Sequence, residues 1–226
     1  MAPIATGPLN ALIDARSGRG PVIVLLHGRG SDERDLFPLG PLLHPDATTV
    51  TVRAPFDAAP WGYGPGYAWY RFLGGTTPDP DTFVRGQELL DAVIDDLPER
   101  LDRRHFPLFI GGFSQGGTTA LAHLLRHPGT AAGVLVFSGF LADHPSVAVN
   151  AARVGTTPIF WGHGTGDVAV PYAAAEHGWS ELRNAGAALS AHAYRDMPHT
   201  ISEAELGDAR SWLSGVLQDD GRPSPT

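Results

Sequence analysis

The residue best placed to do chemistry is Ser114, within Gly112-Phe113-Ser114-Gln115-Gly116-Gly117. An apolar run over 106–110 precedes it and a small-residue segment follows, the pattern of a strand that turns at once into a helix. Such a turn strains the serine backbone, and side chains two residues before and after it would collide. Glycine fits both places, and Gly112 and Gly116 occupy them. The turn would expose the serine hydroxyl at the sheet edge as a nucleophile. The helix would aim its amide end at the reacting centre, which makes the Gln115 N–H a candidate donor to a developing oxyanion. A glycine-rich turn with an incidental serine would read the same way, because the motif is short.

The flanking segments decide between these readings. A free hydroxyl is a poor nucleophile and needs a base, and imidazole is the side chain that gains and loses a proton near neutrality. His199 stands on a predicted loop ahead of a final helix. Asp167 ends Gly162-His163-Gly164-Thr165-Gly166-Asp167, after an apolar run over 158–161. Asp167 would hold the imidazole in one tautomer and stabilise the imidazolium. Near the N-terminus the run 22–26 ends in His27-Gly28-Arg29-Gly30, where the backbone can approach a substrate and the Arg29 N–H is the second candidate oxyanion donor. Serine, acid and histidine follow one another in an order that suits acyl transfer on a parallel sheet. Asp143, after the predicted strand over 133–137, is the rival acid, and the loop motif favours Asp167. His27 precedes the turn and reads as a structural hydrogen-bonding residue. His163 and Asp167 lie four apart, but the glycines between them argue for a loop and no third ligand is near, so no metal site is expected.

The elements that must position these groups are legible as apolar or β-rich runs over 9–13, 22–26, 49–53, 108–111, 133–137, 158–162 and 189–194. Helical segments lie between most of them. The alternation predicts an α/β fold, a mostly parallel sheet of about seven strands with helices on both faces. Leu89, Leu90, Val93, Ile94, Leu97 and Leu101 fall at helical spacing in a helix over 87–103, with Pro98 expected to kink it. Leu206, Trp212, Leu213, Val216 and Leu217 predict a closing helix. No repeat or composition shift marks a second domain, so one domain over 1–218 is expected, with a flexible tail over 219–226. The segment 54–81 is long and rich in glycine, proline and aromatics, as pocket walls are. Trp61, Trp69 and Phe72 are candidates for the acyl-site wall, with Phe140, Trp161 and Met197. Packing onto the sheet is the alternative for any one of them.

Composition narrows the partners. The chain of 226 residues carries a formal net charge of −8 and no cysteine, so disulfides, thiolate metal sites and a cysteine nucleophile are excluded. Arg100, Arg103 and Arg104 form the one basic cluster, without an aromatic platform, and nucleic acid is not an expected partner. No run reaches the roughly 18 apolar residues that a membrane span needs, and the first ten residues lack a leader pattern, so the expected location is cytoplasmic.

Five stretches together carry a family resemblance: HGRGSDERDL over 27–36, RAPFDAAPWGYGPGYAWYRF over 53–72, GGFSQGG over 111–117, HGTGD over 163–167 followed by Pro171, and the loop around His199. They resemble the phospholipase/carboxylesterase family of α/β-hydrolases, which includes bacterial carboxylesterases and acyl-protein thioesterases, and the resemblance spans about residues 20–215. It implies a single-domain, cofactor-free serine hydrolase of small-molecule carboxylic esters or thioesters, with lysophospholipids among the conceivable substrates. By motif position it puts the nucleophile on Ser114, the acid on Asp167, the base on His199 and the oxyanion amides on Arg29 and Gln115. It leaves a monomer and a homodimer both open. The residue after His-Gly is usually apolar in that family, and here it is Arg29. Its guanidinium could favour acyl groups bearing a carboxylate, or it could point to solvent or pair with Asp32, Glu33 or Asp35. Two further readings stay open: a non-catalytic binding module on this frame, and a different enzyme such as a dienelactone-type hydrolase or a serine peptidase.

Overall fold

The computed structural model describes residues 4–6, 8–15 and 18–220. Its sheet strands are β1 (Ile4–Thr6), β2 (Leu9–Ala15), β3 (Val22–Leu26), β4 (Thr48–Val52), β5 (Leu108–Phe113), β6 (Gly133–Phe137), β7 (Ile159–Gly164) and β8 (Leu189–Tyr194). Every residue of β3, β4, β6 and β7 is buried, as strands covered on both faces must be. Strand β8, at one edge, is only half-buried. The order is β1-β2-β4-β3-β5-β6-β7-β8, antiparallel at the two β2 pairings and parallel at every other. All seven predicted strands form. The eighth, Ile4–Thr6, has three residues, too few for an alternation pattern to register.

The topology itself marks a site. From β3 the chain moves to β4 on one side, and β5 then pairs on the other, so the loops leaving the carboxyl ends of β3 and β5 diverge and open a crevice between them. Leu26 pairs with Gly112, which brings the His27 loop beside the Ser114 turn.

Six helices cover the sheet: α1 (Leu39–Leu43), α2 (Pro80–Arg100), α3 (Gln115–Arg126), α4 (Ala151–Val154), α5 (Tyr172–Asn184) and α6 (Glu203–Asp220). Alternate residues of β3 face opposite ways, as the pleat requires. Val22, Val24 and Leu26 join a core with Leu90 and Val93 of α2, Leu121 and Leu124 of α3, and Trp179 and Leu182 of α5. Ile23 and Leu25 join a second core with Leu43 of α1 and Ala209 and Leu213 of α6. Helix α2 begins seven residues before the predicted start, because Asp79 caps it, accepting from Thr82 N at 3.0 Å, and Pro80 supplies the helical φ at the first position. It ends at Arg100, two residues past Pro98 rather than five, since proline removes a donor from the last turn. Asp219 and Asp220, expected in the tail, continue α6, and residues 221–226 of that predicted tail lie outside the described residues.

The first turn of α6 buries an acid. Neither carboxyl oxygen of Glu205 has a hydrogen-bond partner among the described residues, and Gly162 of β7 leaves it room, since a Cβ there would overlap Glu205 Oε1. Burial, with the charge of Asp208 adding to it, raises the Glu205 pKa to about 8. A folded-state pKa above the unfolded value stabilises below the unfolded pKa and loses that contribution as pH rises through the folded one. Stability should therefore decline between about pH 4.5 and about pH 8, at up to about 1.4 kcal/mol per pH unit from this group. Glu205→Gln should flatten that slope in thermal melts across the window; equal slopes in the two proteins would show that Glu205 does not titrate there.

Candidate active site

Ser114 has φ 55° and ψ −119°, a backbone conformation costing about 1–3 kcal/mol for a residue with a side chain. The surroundings impose it. A Cβ on Gly116 would sit on the carbonyl of Leu26, and one on Gly112 would stand 2.6 Å from that same oxygen. Ser114 N donates to Phe137 O at 2.8 Å, and Thr118 N donates to Ser114 O at 3.0 Å as α3 begins.

The three candidate catalytic side chains meet. His199 Nε2 lies 2.9 Å from Ser114 Oγ, and His199 Nδ1 lies 2.7 Å from Asp167 Oδ2. An ionised carboxylate only accepts, so Nδ1 carries the proton and Nε2 is left to accept from the serine hydroxyl. Asp167 is fixed by its other oxygen, which accepts from Ala169 N and Val170 N at 2.9 Å each. The Phe113 ring packs at 4.6 Å from that of His199. His163 Nε2 donates to Val170 O at 2.9 Å and lies 3.4 Å from Asp167 Oδ2. Burial lowers the His163 pKa, which keeps this second imidazole neutral beside the acid. Asp143 lines a different cleft with Thr76, His144 and His177 and is not brought to His199.

Two backbone segments face the hydroxyl. Gln115 opens α3, so its N–H has no carbonyl four residues back within the helix. Its side chain ties down the 54–81 segment: Oε1 accepts from Trp69 N at 2.8 Å, and Nε2 donates to Tyr70 O at 2.8 Å. The Arg29 turn is held from both ends. His27 is buried, donates from Nδ1 to Gly28 O at 2.8 Å and accepts at Nε2 from Ala54 N at 3.0 Å. Burial lowers its pKa, so it remains a neutral strut, as its position before the turn predicted. Gly30 N donates to Tyr67 O and Tyr67 N to Ser31 O, both at 2.8 Å. Beyond them the buried carboxylate of Glu33 accepts two bonds from Arg53, at 2.6 and 2.8 Å, and the guanidinium lies 4.6 Å over the Tyr67 ring. Burial pushes the Glu33 carboxyl up, but the hydrogen bonds and charge of Arg53 outweigh this and hold it below its ordinary value.

Between these segments lies a cavity of about 210 Å³ walled by Arg29, Tyr70, Phe72, Phe113, Phe140 and Val170. Of the six predicted wall residues, Phe72 and Phe140 line it, their ring centroids 6.0 Å apart. The other four do not. Trp69 is fully buried and donates its indole N–H to His27 O at 3.0 Å, the partner that a buried tryptophan needs. Trp161 is core, edge-on to Trp179 at 6.4 Å and close against Gly178. Met197 is buried, with its carbonyl accepting from Gly166 N at 3.1 Å, and Trp61 packs on Phe56 and Tyr63 instead. Tyr70 belongs to the 54–81 segment read as the wall, whereas Val170 lies outside the expected wall, as does Phe113, although its place between Gly112 and Ser114 puts it at the turn.

Among the described residues one cluster elsewhere has metal-ligand chemistry: Asp91 of α2 with His123 and His127 of α3 and its C-cap. His123 and His127 reach the Asp91 oxygens at 2.9 and 3.0 Å, and Arg126 Nη1 stands 2.8 Å from Oδ2. With a guanidinium already at that carboxylate, the cluster is a clamp between two helices.

A family model described as Phospholipase/Carboxylesterase matches residues 10–217. A probable carboxylesterase of Oryza sativa is 34% identical over 146 residues, 64% of this chain and 54% of that protein, so the chain matches about half of that relative's length. A probable inactive carboxylesterase of the same plant is 29% identical over 92% of this chain and 89% of its own length. Among solved structures, that of esterase PE8 superposes with a TM-score of 0.77 at 28% identity, covering 93% of this chain and 98% of that one.

The Glu33–Arg53 pair can be tested for its part in holding the Arg29 turn. Arg53→Ala would leave a buried carboxylate with only the exposed Arg34 at 3.2 Å, and should cost about 3 kcal/mol in urea denaturation. A loss under about 1 kcal/mol would mean that the pair behaves as an exposed one.

Proposed function

The chain belongs to the phospholipase/carboxylesterase family, and from that premise we propose that it is a serine hydrolase, cleaving carboxylic esters through an acyl-enzyme on Ser114. The observation that carries this is the unbroken run Ser114 Oγ, His199 Nε2, His199 Nδ1, Asp167 Oδ2, with gaps of 2.9 and 2.7 Å. His199 takes the serine proton as Oγ adds to the ester carbonyl. The carbonyl oxygen becomes an oxyanion and accepts from the N–H groups of Arg29 and Gln115, donors set in place before the reaction begins. Collapse expels the alcohol, protonated by the imidazolium. Water, losing its proton to His199, then attacks the acyl carbon, and the acid leaves as Ser114 regains its proton. Asp167 accepts from Nδ1–H throughout, which excludes the tautomer that could not receive the serine proton and stabilises the cation that forms.

The same steps serve a thioester, with a thiolate in place of the alkoxide. The cavity of about 210 Å³ and its aromatic walls favour a short acyl group over a long lipid chain. No described helix is long and apolar enough to cross a membrane, and the reading needs none for small-molecule esters.

A fluorophosphonate probe should label the protein once, at Ser114, located by peptide mass spectrometry, and a binding module would stay unlabelled. Ser114→Ala and His199→Ala should each lower kcat on p-nitrophenyl acetate by roughly 10⁴-fold or more, and Asp167→Asn by roughly 10³- to 10⁴-fold. Asp143→Asn should stay within about twofold of the parent. The reverse pattern for the two aspartates would overturn the assignment of the acid.

A further inference from the structure

The mechanism uses the backbone of Arg29 and leaves its side chain unexplained. Arg29 lines the cavity, and its guanidinium stands 4.5 Å from the Tyr63 ring centroid and 5.9 Å from that of Phe72, which lines the same cavity. The sequence allowed a pairing with Asp32, Glu33 or Asp35. Instead Asp32 pairs with Arg34 at 3.2 Å and Glu33 with Arg53 at 2.6 Å, and among the described residues no carboxylate pairs with Arg29. The cavity lining contains no acid at all. Tyr70 lines the same cavity, with its hydroxyl buried beside Thr118. Burial pushes the Tyr70 pKa up, so the phenol keeps its proton and remains a donor. Phe72, Phe113, Phe140 and Val170 supply apolar wall, and Ser114, Gln115 and His199 supply polar lining.

An arginine with no carboxylate partner among the described residues, beside a cavity that Phe72, Phe113, Phe140 and Val170 help to wall, complements a short chain that ends in an anion. The planar guanidinium suits a carboxylate, which it can bind through two parallel N–H bonds, and aromatic faces hold it flat for that purpose. We propose that the preferred substrates are esters whose acyl group is a short dicarboxylic acid, with the free carboxylate bound by the Arg29 side chain. This rests on the serine-hydrolase reading above and narrows its substrate class. The guanidinium is exposed, so solvent screening limits the size of the effect and makes it depend on salt.

Monomethyl glutarate and methyl valerate match in leaving group and chain length and differ in the terminal carboxylate. The ratio of their kcat/KM values should favour the hemiester in the parent protein and should fall as ionic strength rises. Arg29→Leu should lower the ratio by roughly tenfold or more and abolish its salt dependence, and Arg29→Lys should fall between, since it keeps the charge without the fork. Fluorophosphonate labelling of Ser114 in each variant reports that the fold and nucleophile are intact. A labelled parent whose ratio is unchanged by Arg29→Leu overturns this inference alone. A parent that is neither labelled nor active on either ester overturns the hydrolase reading, and this inference with it.

Discussion

The structure depends on one close approach of backbone to backbone. The turn that carries Ser114 lies so near the carboxyl end of β3 that a single carbon atom on Gly116 would overlap the Leu26 carbonyl. Beside that contact Ser114 adopts φ 55°, a strained conformation from which α3 starts at the next residue. The Ser114 hydroxyl, the first amide of α3 and the His27 loop therefore share one small region. Sheet order reinforces this, since β3 and β5 are neighbours whose outgoing loops diverge.

The charged groups around that turn are arranged by how they are satisfied. Asp167 is buried, yet it keeps one oxygen for two backbone amides and the other for His199, so its charge is spread over fixed donors. Glu33 is buried with a two-pronged partner in Arg53, and that pair ties the stretch after the Arg29 turn to the chain that enters the 54–81 segment. Glu205 has no such donors, and burial lifts its pKa instead. Arg29 is the inverse case, a cation that lines the cavity with no carboxylate partner among the described residues.

Much of this was legible in the sequence because it is local. Runs such as 22–26 and 133–137 bury every side chain, so composition alone marks them, and the glycines around Ser114 report a steric need that any reader of spacing can infer. The order of Ser114, Asp167 and His199 foretold which groups would meet. What was not legible depended on direction. Trp61, Trp69, Trp161 and Met197 share the apolar character of Phe72 and Phe140, and only the placed backbone distinguishes a wall from a core. Trp69 turns inward because its indole N–H finds the His27 carbonyl, a partner 42 residues away. Arg53 and the side chain of Gln115 escaped notice for the same reason, since their roles arise from contacts 20 and 46 residues distant.

The amide side chain of Gln115 joins two parts that are usually thought of as separable. It grips the backbone of Trp69 and Tyr70 on one side, while the main chain of the same residue stands at the head of α3. A change that reshapes the aromatic segment therefore pulls on the residue that opens α3. The shape of the chamber and the head of α3 are mechanically coupled, whereas Phe140 and Val170 border the chamber and are not the residues that Gln115 grips.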